Sequence, residues 1–317
     1  MVKIVSLDKA AVNPGDLAWD DFNKLGEFVM YDRSTQDEAI ERAKDAEIVL
    51  NNKVKLDRRV LSQLKKVKYI GLFSTGYDVV DIEYCKEHDI KVCNVPAYSS
   101  RSVAQLTVAM LLEAAMGVGL HNESVKNKEW ANAKDFCYWK QDIIELDGLS
   151  IGIVGYGSIG KYVANICNAL GMKVYAYNRN HEIKEDYVTK VSLDELFKLS
   201  DVISLHCPLN KDSKELINKK NISLMKDNVI IINTARGGLI NEEDLVEALD
   251  NNKVKAYCAD VLKEEPPKLD NKLSLHPKTY ITPHIAWASY SARSRLLKIA
   301  AQNIKNFLDG NTTNNVY

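Results

Sequence analysis

The chain has 317 residues, enough for one large domain or, as we interpret it, two domains of ordinary size. Hydrophobic residues make up 46% and charged residues 27%, which is typical of a globular protein and excludes a disordered chain. The 42 lysines and arginines balance 43 acidic residues, so the charge gives no indication of a nucleic-acid or anionic-membrane partner.

The N-terminal segment MVKIVSL is typical of a short strand. It lacks the basic stretch, long apolar run and cleavage site of a secretion signal. No window reaches the roughly 18 apolar residues that a membrane span requires. We therefore expect a soluble protein of the cytoplasm.

The six cysteines indicate neither a disulfide framework nor a metal site. None form a C-x-x-C pair, and none has zinc-type spacing to a histidine. In a chain of this length we expect reduced, partly buried thiols and no bound metal. The cysteines are Cys85, Cys93, Cys137, Cys167, Cys207 and Cys258.

The first third alternates short β-rich runs with amphipathic helical patterns. This alternation predicts a parallel sheet covered by helices, in a compact α/β domain that ends near Val95–Pro96. The predicted strands are KIVSL, EFVMYD, EIVLNN, KYIGLF and IKVCNV. The segments DEAIERAKDA and DRRVLSQLKKV are predicted helices.

A long apolar stretch, Ser102 to Leu120, follows and contains Gln105 and Glu113. Because charge and amide interrupt it, we interpret it as one buried helix that bridges two domains rather than as a membrane span.

A second alternating run begins at LSIGIVGYGSIG and ends in a helix before Gly310, a residue suited to a helix C-terminus. Its continuous apolar runs are typical of parallel strands buried on both faces. The predicted strands are SIGIVG, KVYAYN, VISLHC, VIIINTA, VKAYCADV and TYITPH. The sequence therefore predicts two α/β domains that share a cleft.

The segment GIVGYGSIGK carries a G-x-G-x-x-G motif at Gly155, Gly157 and Gly160. The motif alone is weak evidence, but here it follows an apolar strand and opens a helical pattern, with a second strand ending about 18 residues later. The first glycine would allow the turn, the second the approach of a pyrophosphate, and the third close helix packing. We interpret the motif as a dinucleotide site at a helix N-terminus.

Three residues past predicted strand ends have the side chains of a reaction centre: Arg236, Glu265 and His284. Arginine can hold a substrate carboxylate, histidine can exchange a proton near neutral pH, and a carboxylate can orient the imidazole. Each alone has an ordinary alternative: a surface ion pair, a loop carboxylate or a core histidine. Their occurrence together after a dinucleotide motif favours the catalytic interpretation.

Seven ordered segments make the chain resemble the D-isomer-specific 2-hydroxyacid dehydrogenases over essentially its whole length. The sequences of the segments PAYSSRSVAQ, DFCYW and TPHIAWAS are most similar to the glycerate dehydrogenase (hydroxypyruvate reductase) branch of that family. The seven segments are STGYDVVDI, NVPAYSSRSVAQLTVAMLLE, GYGSIG, SDVISLHCPL, NTARGGLINEEDLVEAL, ADVLKEEPP and TPHIAW.

The resemblance implies an α/β fold of two doubly wound parallel-sheet domains. Residues 1–99 and 286–317 would form a discontinuous, flavodoxin-like substrate domain, and residues 100–285 a Rossmann dinucleotide domain. It also implies a homodimer formed through the nucleotide domain, using the long helix after Arg101.

The resemblance further assigns roles by position. Arg236 would bind the substrate, His284 would be the acid/base, and Glu265 would pair with it. The other implied substrate contacts are the backbone of Ser74, Thr75 and Gly76, while Trp287 would wall the pocket. The implied cofactor contacts are Thr107, Gly155, Gly157, Ser158, Ile159, Gly160, Asn178, Arg179, Asn180, His206, Cys207, Pro208, Thr234, Ala235, Arg236, Asp260 and His284.

The segment VYAYNRN bears on the choice of cofactor. Asn178 stands where members that prefer NAD usually carry an acid that binds the ribose hydroxyls. The amide removes the repulsion of a 2′-phosphate, and Arg179 places a cation beside it. Lys161 and His181 would add positive charge, which Glu182 and Glu185 would dilute. We expect NADP(H), with NAD(H) as the alternative if Asn178 binds the ribose while Arg179 points to solvent.

These features predict an NAD(P)-dependent oxidoreductase of small D-2-hydroxy acids, with hydroxypyruvate and glyoxylate as the expected substrates. Pyruvate or branched 2-oxo acids are the alternative, and formate or phosphite would fit less well. A further alternative is a non-enzymatic corepressor that senses nicotinamide nucleotides, because the same fold serves that role.

Overall fold

The computed structural model describes residues 1–179 and 182–317, and these divide into two compact units. The first comprises Met1–Ser99 with Ala288–Tyr317, and the second Ser100–Trp287. The boundaries drawn from the sequence differ from this division only in the placement of residues 286 and 287. That the two units are the substrate and nucleotide domains stays our proposal.

The first unit contains a five-stranded parallel sheet in the order β2-β1-β3-β4-β5, as described for residues 1–99. All five strands predicted from the apolar runs are present, and the sheet order is that of a flavodoxin-like fold. They are β1 (Lys3–Ser6), β2 (Glu27–Met30), β3 (Ile48–Asn51), β4 (Tyr69–Leu72) and β5 (Lys91–Cys93).

The helices of the first unit cover this sheet. They are α1 (Asp20–Asn23), α2 (Gln36–Ala43), α3 (Arg58–Leu61), α4 (Ile82–Glu87) and, at the C-terminus, α11 (Tyr290–Leu308). The prediction of one helix over DRRVLSQLKKV was too long. The α-helix ends at Leu61, because the N–H groups of Gln63 and Leu64 bond three residues back, which tightens the backbone into turns.

The second unit contains a seven-stranded parallel sheet in the order β12-β11-β10-β9-β6-β7-β8 among the residues described. Its strands are β6 (Ser150–Val154), β7 (Lys173–Tyr177), β8 (Val188–Lys190), β9 (Val202–Leu205), β10 (Val229–Asn233), β11 (Val254–Ala259) and β12 (Thr279–Ile281). Six were predicted. The seventh, β8, is a short edge strand whose last two residues are exposed, so it lacks the apolar run that marks the others.

The helices of the second unit lie on both faces of that sheet, and two apolar clusters fill the space between them. They are α5 (Ser100–Met116), α6 (Val118–Lys126), α7 (Ser158–Ala169), α8 (Leu193–Leu199), α9 (Lys219–Leu224) and α10 (Glu242–Asp250).

The apolar stretch from Ser102 to Leu120 is two helices, not the single helix that we predicted. Gly117 has a left-handed backbone (φ 59°) that ends α5, and the Glu113 carboxylate accepts the Gly119 N–H at the start of α6. Among the described residues, no single helix is long and apolar enough to cross a membrane. The pair α5 and α6 meets such criteria only when joined across a bend of 59°.

The strand order of the second unit creates one edge where ligands can bind. The chain runs from β6 outward to β8 and then returns to β9 on the other side of β6. In open parallel sheets, ligands bind beyond the carboxyl ends of the strands, at such a reversal of order.

Candidate active site

The glycine motif lies at this reversal, directly after β6. Gly155 has φ 96°, and a Cβ there would come within 2.7 Å of the Cys207 nitrogen. A Cβ on Gly160 would collide with the Gly155 carbonyl oxygen, so helix α7 packs against the turn only because this residue is glycine. Gly157 precedes α7 without a side-chain cap, and a Cβ there would meet nothing within 4 Å.

These features fit a dinucleotide pyrophosphate. The open backbone at Gly157 leads into the N-terminus of a helix of 12 residues, whose first turn holds no acidic residue. The first N–H groups of such a helix, here beginning with Ser158 and Ile159, are unpaired donors beside a positive dipole end.

Asn178 and Arg179 lie after β7, on the same edge. The Asn178 Nδ2 atom is buried and has no hydrogen-bond partner among the described residues. Arg179 is half exposed, and its guanidinium donates to the Asp212 carboxylate at 2.9 Å. This hydrogen bond raises the pKa of Arg179. Asn180, another expected cofactor residue, lies outside the described residues, as does His181.

His206 and Cys207 follow β9 and pack against the glycine turn. The ring of His206 bonds through Nε2 with the Ser204 hydroxyl at 2.8 Å. Burial lowers the pKa of His206 to about 3 and raises the pKa of the Cys207 thiol. Both groups are therefore neutral near pH 7 and add no charge to this edge of the sheet. Pro208, the next residue, is exposed.

Thr107 on α5 and Thr234 after β10 are brought together, with 2.9 Å between their hydroxyl oxygens. The Thr107 hydroxyl donates to the Val103 carbonyl, so the Thr234 hydroxyl donates to Thr107. Thr234, Ala235 and Thr107 were all expected near the nicotinamide end, and the first two lie in the turn that carries Arg236.

Asn233 organises that turn, and the sequence analysis did not single it out. Its buried side chain accepts the Ala235 N–H at 3.0 Å and donates to the Arg236 carbonyl at 2.9 Å. Arg236 itself is exposed, and its guanidinium donates to the Ala235 carbonyl at 2.8 Å. A buried amide at the last residue of an apolar strand was the available signal.

Arg236, Glu265 and His284 follow β10, β11 and β12, three adjacent parallel strands. Their turns therefore lie at the same edge of the sheet. Gly237 tightens the arrangement, because a Cβ there would collide with the backbone of Leu262 in the segment that leads to Glu265.

His284 and Glu265 form a direct pair, with 2.6 Å between Nδ1 and Oε2. The other carboxylate oxygen, Oε1, accepts the Leu262 N–H at 3.0 Å, which anchors Glu265 to its own loop. About one third of each side chain is exposed (33% for His284 and 36% for Glu265), so the pair remains accessible from solvent. A carboxylate at Nδ1 holds a proton on that nitrogen and directs Nε2 away from it.

The remaining expected substrate residues lie in two places. Trp287 is half buried, and its indole N–H donates to the His284 carbonyl at 2.9 Å. Ser74, Thr75 and Gly76 follow β4 in the first unit. There the Ser74 hydroxyl donates to the Gly76 carbonyl at 2.6 Å and the Thr75 hydroxyl to the Val95 carbonyl at 2.9 Å, which fixes this loop.

The sheet order and the glycine turn of the second unit are those of a Rossmann fold. Residues 108–286 match the family model described as "D-isomer specific 2-hydroxyacid dehydrogenase, NAD binding domain". The chain is 45% identical over 318 residues to a hydroxypyruvate reductase of Blautia hydrogenotrophica, and the aligned region covers 99% of both proteins.

Two solved structures are also similar over nearly the whole chain. An acyclic imino acid reductase in complex with NADPH and D-Arg has a TM-score of 0.87 at 30% identity, with all of both chains covered. The D-lactate dehydrogenase of Aquifex aeolicus, complexed with NAD and lactic acid, has a TM-score of 0.83 at 31% identity and covers 97% of this chain and 96% of its own. The chain belongs to the D-isomer-specific 2-hydroxyacid dehydrogenase family, and it is an oxidoreductase that uses a nicotinamide cofactor.

Proposed function

We propose that this enzyme reduces hydroxypyruvate and glyoxylate to the corresponding 2-hydroxy acids, with D-glycerate as the product from hydroxypyruvate. The observation that carries the proposal is the Glu265–His284 pair, which lies one strand away from the turn of Arg236 and on the same sheet edge as the glycine turn. The similarity to a hydroxypyruvate reductase across both chains supports this choice of substrate.

Arg236 would bind the substrate carboxylate, because its guanidinium is exposed and a fork of N–H donors matches two carboxylate oxygens. The Ser74–Gly76 backbone of the first unit stays a substrate contact that the resemblance implies. A nicotinamide cofactor, when bound, would supply the hydride that reduces the 2-carbon and would accept it in the reverse direction.

His284 would give a proton from Nε2 to the developing alkoxide during reduction and take it back during oxidation. Glu265 holds Nδ1 at 2.6 Å, so the imidazole keeps its orientation and the charged form is stabilised while the proton moves. Thr107, Thr234 and Ala235 would contact the nicotinamide end, while His206, Cys207 and Pro208 would line the adenosine side.

The stereochemistry of the product tests this proposal. Hydroxypyruvate is reduced to completion, and the glycerate is separated on a chiral column. We expect a single enantiomer, because one sheet edge would present the acid, the carboxylate-binding group and the dinucleotide in a fixed arrangement, and we expect it to be D-glycerate because the family is D-isomer-specific. Formation of L-glycerate or of a racemate contradicts the proposal.

Pyruvate is the second candidate substrate. A structure similar to this chain is a D-lactate dehydrogenase with lactic acid bound, and Trp287 beside His284 offers an apolar surface for a methyl group. The two substrates differ by one hydroxyl group. A polar pocket that binds this hydroxyl discriminates strongly against pyruvate, whereas an apolar pocket does not.

We further propose that the cofactor is NADP(H). The buried Asn178 Nδ2 is a donor that suits an acceptor-only phosphate oxygen, and it replaces an acid that would repel the 2′-phosphate. Arg179 adds a cation, although the Asp212 carboxylate holds it at 2.9 Å. The binding of NADPH by a structurally similar reductase is compatible with this choice.

Measurement of kcat/KM with both reduced cofactors tests this preference. We expect a higher value with NADPH in the native enzyme, and a shift towards NADH in Asn178→Asp, because a carboxylate binds ribose hydroxyls and repels phosphate. A native value for NADH equal to or above that for NADPH refutes the preference.

We also propose that the enzyme is a homodimer formed through the second unit. Exposed apolar side chains are concentrated on α5, α6 and the segment that follows. Large exposed apolar patches usually mark a surface that is buried against another protein chain. These residues are Leu112, Met116, Val118, Leu120, Val125, Trp130, Phe136, Trp139 and Ile143. Sedimentation equilibrium should give twice the mass of one chain, and Phe136→Glu with Trp139→Glu should halve it.

A further inference from the structure

His284 has an unusual backbone. Its φ is 55°, in the left-handed region that a histidine seldom occupies, and its N–H donates to the Thr282 carbonyl two residues earlier at 2.9 Å. Such a conformation persists only where surrounding groups hold it, and it is found preferentially at functional sites.

Asp260 holds both sides of this turn. Its carboxylate is buried, with 1% of the residue exposed. Oδ1 accepts the Thr282 hydroxyl at 2.6 Å and the Ile285 N–H at 2.8 Å, and Oδ2 accepts the Ala286 N–H at 2.7 Å. Three donors from the turn therefore converge on one side chain, before and after His284.

The backbone of Asp260 is tied to the turn of Arg236. The Asp260 N–H donates to the Asn233 carbonyl at 3.1 Å, and the Asn233 amide donates to the Arg236 carbonyl at 2.9 Å. One buried connection thus runs from the Arg236 turn through Asn233 and Asp260 to the His284 turn.

We propose that Asp260 is a positioning residue, and that with the Thr282 hydroxyl it fixes the left-handed turn that aims the His284 imidazole. This inference rests on the proposed role of His284 as the acid/base. It is a role in addition to the cofactor contact that the resemblance implied for Asp260, since the three donors of the turn leave a further acceptor site on Oδ2. An asparagine there would present an N–H group to donors on at least one side, so only a carboxylate satisfies all three.

Thr282→Val tests the proposal with the smallest change, because it removes one hydroxyl donor and keeps the shape. We expect kcat to fall about tenfold, since charge-assisted hydrogen bonds are strong and slight misplacement of a reacting group is costly. The KM for hydroxypyruvate and the Kd for reduced cofactor should stay within about twofold of the native values. The Thr282 hydroxyl donates to Asp260 and is not one of the proposed substrate or cofactor contacts. Thr282→Ser restores the donor and should restore kcat.

The matched control is Thr279→Val, at the start of the strand β12 that leads to Thr282. Thr279 donates to the carbonyls of His276 and Leu273, away from the turn, so its loss should leave kcat unchanged. Amide hydrogen exchange of the peptide over residues 282–287 gives a readout without turnover. Exchange should accelerate in Thr282→Val and in Asp260→Asn, whereas Thr279→Val should not alter it.

The outcomes separate this inference from the function on which it rests. If His284→Ala lowers kcat by at least about 10²-fold while Thr282→Val keeps native kcat and native exchange, the function stands and the positioning role is refuted. A weaker Kd for cofactor at native kcat also refutes it, in favour of a direct cofactor contact. If His284→Ala turns over normally, the proposed function itself fails. In a His284→Ala background, Thr282→Val should give no further loss.

Discussion

Replacing Glu265 with glutamine removes the charge that faces the His284 imidazole while the side chain keeps nearly the same size. The bond between them spans 2.6 Å and anchors one ring nitrogen, and the other carboxylate oxygen is held by the Leu262 N–H. A glutamine has one acceptor oxygen. When that oxygen accepts the Leu262 N–H the loop is kept, and an uncharged NH2 group then faces the His284 imidazole. We therefore expect loss of charge assistance rather than collapse of the loop.

The magnitude follows from the type of bond and its exposure. Hydrogen bonds to charged groups contribute about 1.5–3 kcal/mol. With 36% of the Glu265 side chain exposed, solvent screening lowers this to about 1–2 kcal/mol. That corresponds to a fall in kcat/KM for hydroxypyruvate of about 5- to 30-fold at pH 7.

The assay is the initial rate of loss of reduced-cofactor absorbance at pH 7, measured over a range of hydroxypyruvate concentrations for the native enzyme and Glu265→Gln. A Glu265→Gln variant with the native kcat/KM refutes the proposed role of the pair.

Three other changes give distinct expectations. His284→Ala should lower kcat by about 10²- to 10⁴-fold, the range of general acid/base catalysis, while the cofactor Kd from fluorescence titration changes far less than kcat. Asp212→Asn should release Arg179 and raise kcat/KM for NADPH about two- to fivefold, with no gain in an Arg179→Ala background. His206 has its pKa lowered from 6.5 to about 3, so the unfolded chain takes up the proton first and stability falls as the pH drops through that interval. Between pH 7 and 5.5, the free energy of unfolding measured in urea should therefore fall by about 1 kcal/mol less in His206→Gln than in the native enzyme.

The sequence predicted the fold well where burial leaves a strong pattern. Strands such as β10 and β11 are buried on both faces, so their apolar runs appear directly in the sequence. The glycine turn was equally predictable, because its geometry excludes a Cβ at Gly155 and Gly160. The prediction failed where local backbone decides the outcome: Gly117 divides a continuous apolar stretch, and the polar edge strand β8 carries no apolar run.

The candidate site also has residues that the sequence predicted and contacts that it did not. Residue types and strand ends sufficed to select His284 and Glu265, which the fold brings to hydrogen-bonding distance. The proposed role of Asp260 depends on donors that lie 22 to 26 residues further along the chain and converge only in three dimensions, so spacing does not contain that information. The ion pair between Arg179 and Asp212 was missed for a similar reason, because 33 residues separate the two.

The central claim, reduction of a small 2-oxo acid, is tested most directly by one matrix of kcat/KM values. About six 2-oxo acids, including hydroxypyruvate, glyoxylate, pyruvate and a branched 2-oxo acid, are assayed with NADPH and with NADH. We predict that the largest value is for hydroxypyruvate or glyoxylate with NADPH. A larger value for pyruvate or a branched acid contradicts the substrate assignment, and no turnover in any cell of the matrix contradicts the enzymatic account in favour of a nucleotide-sensing role.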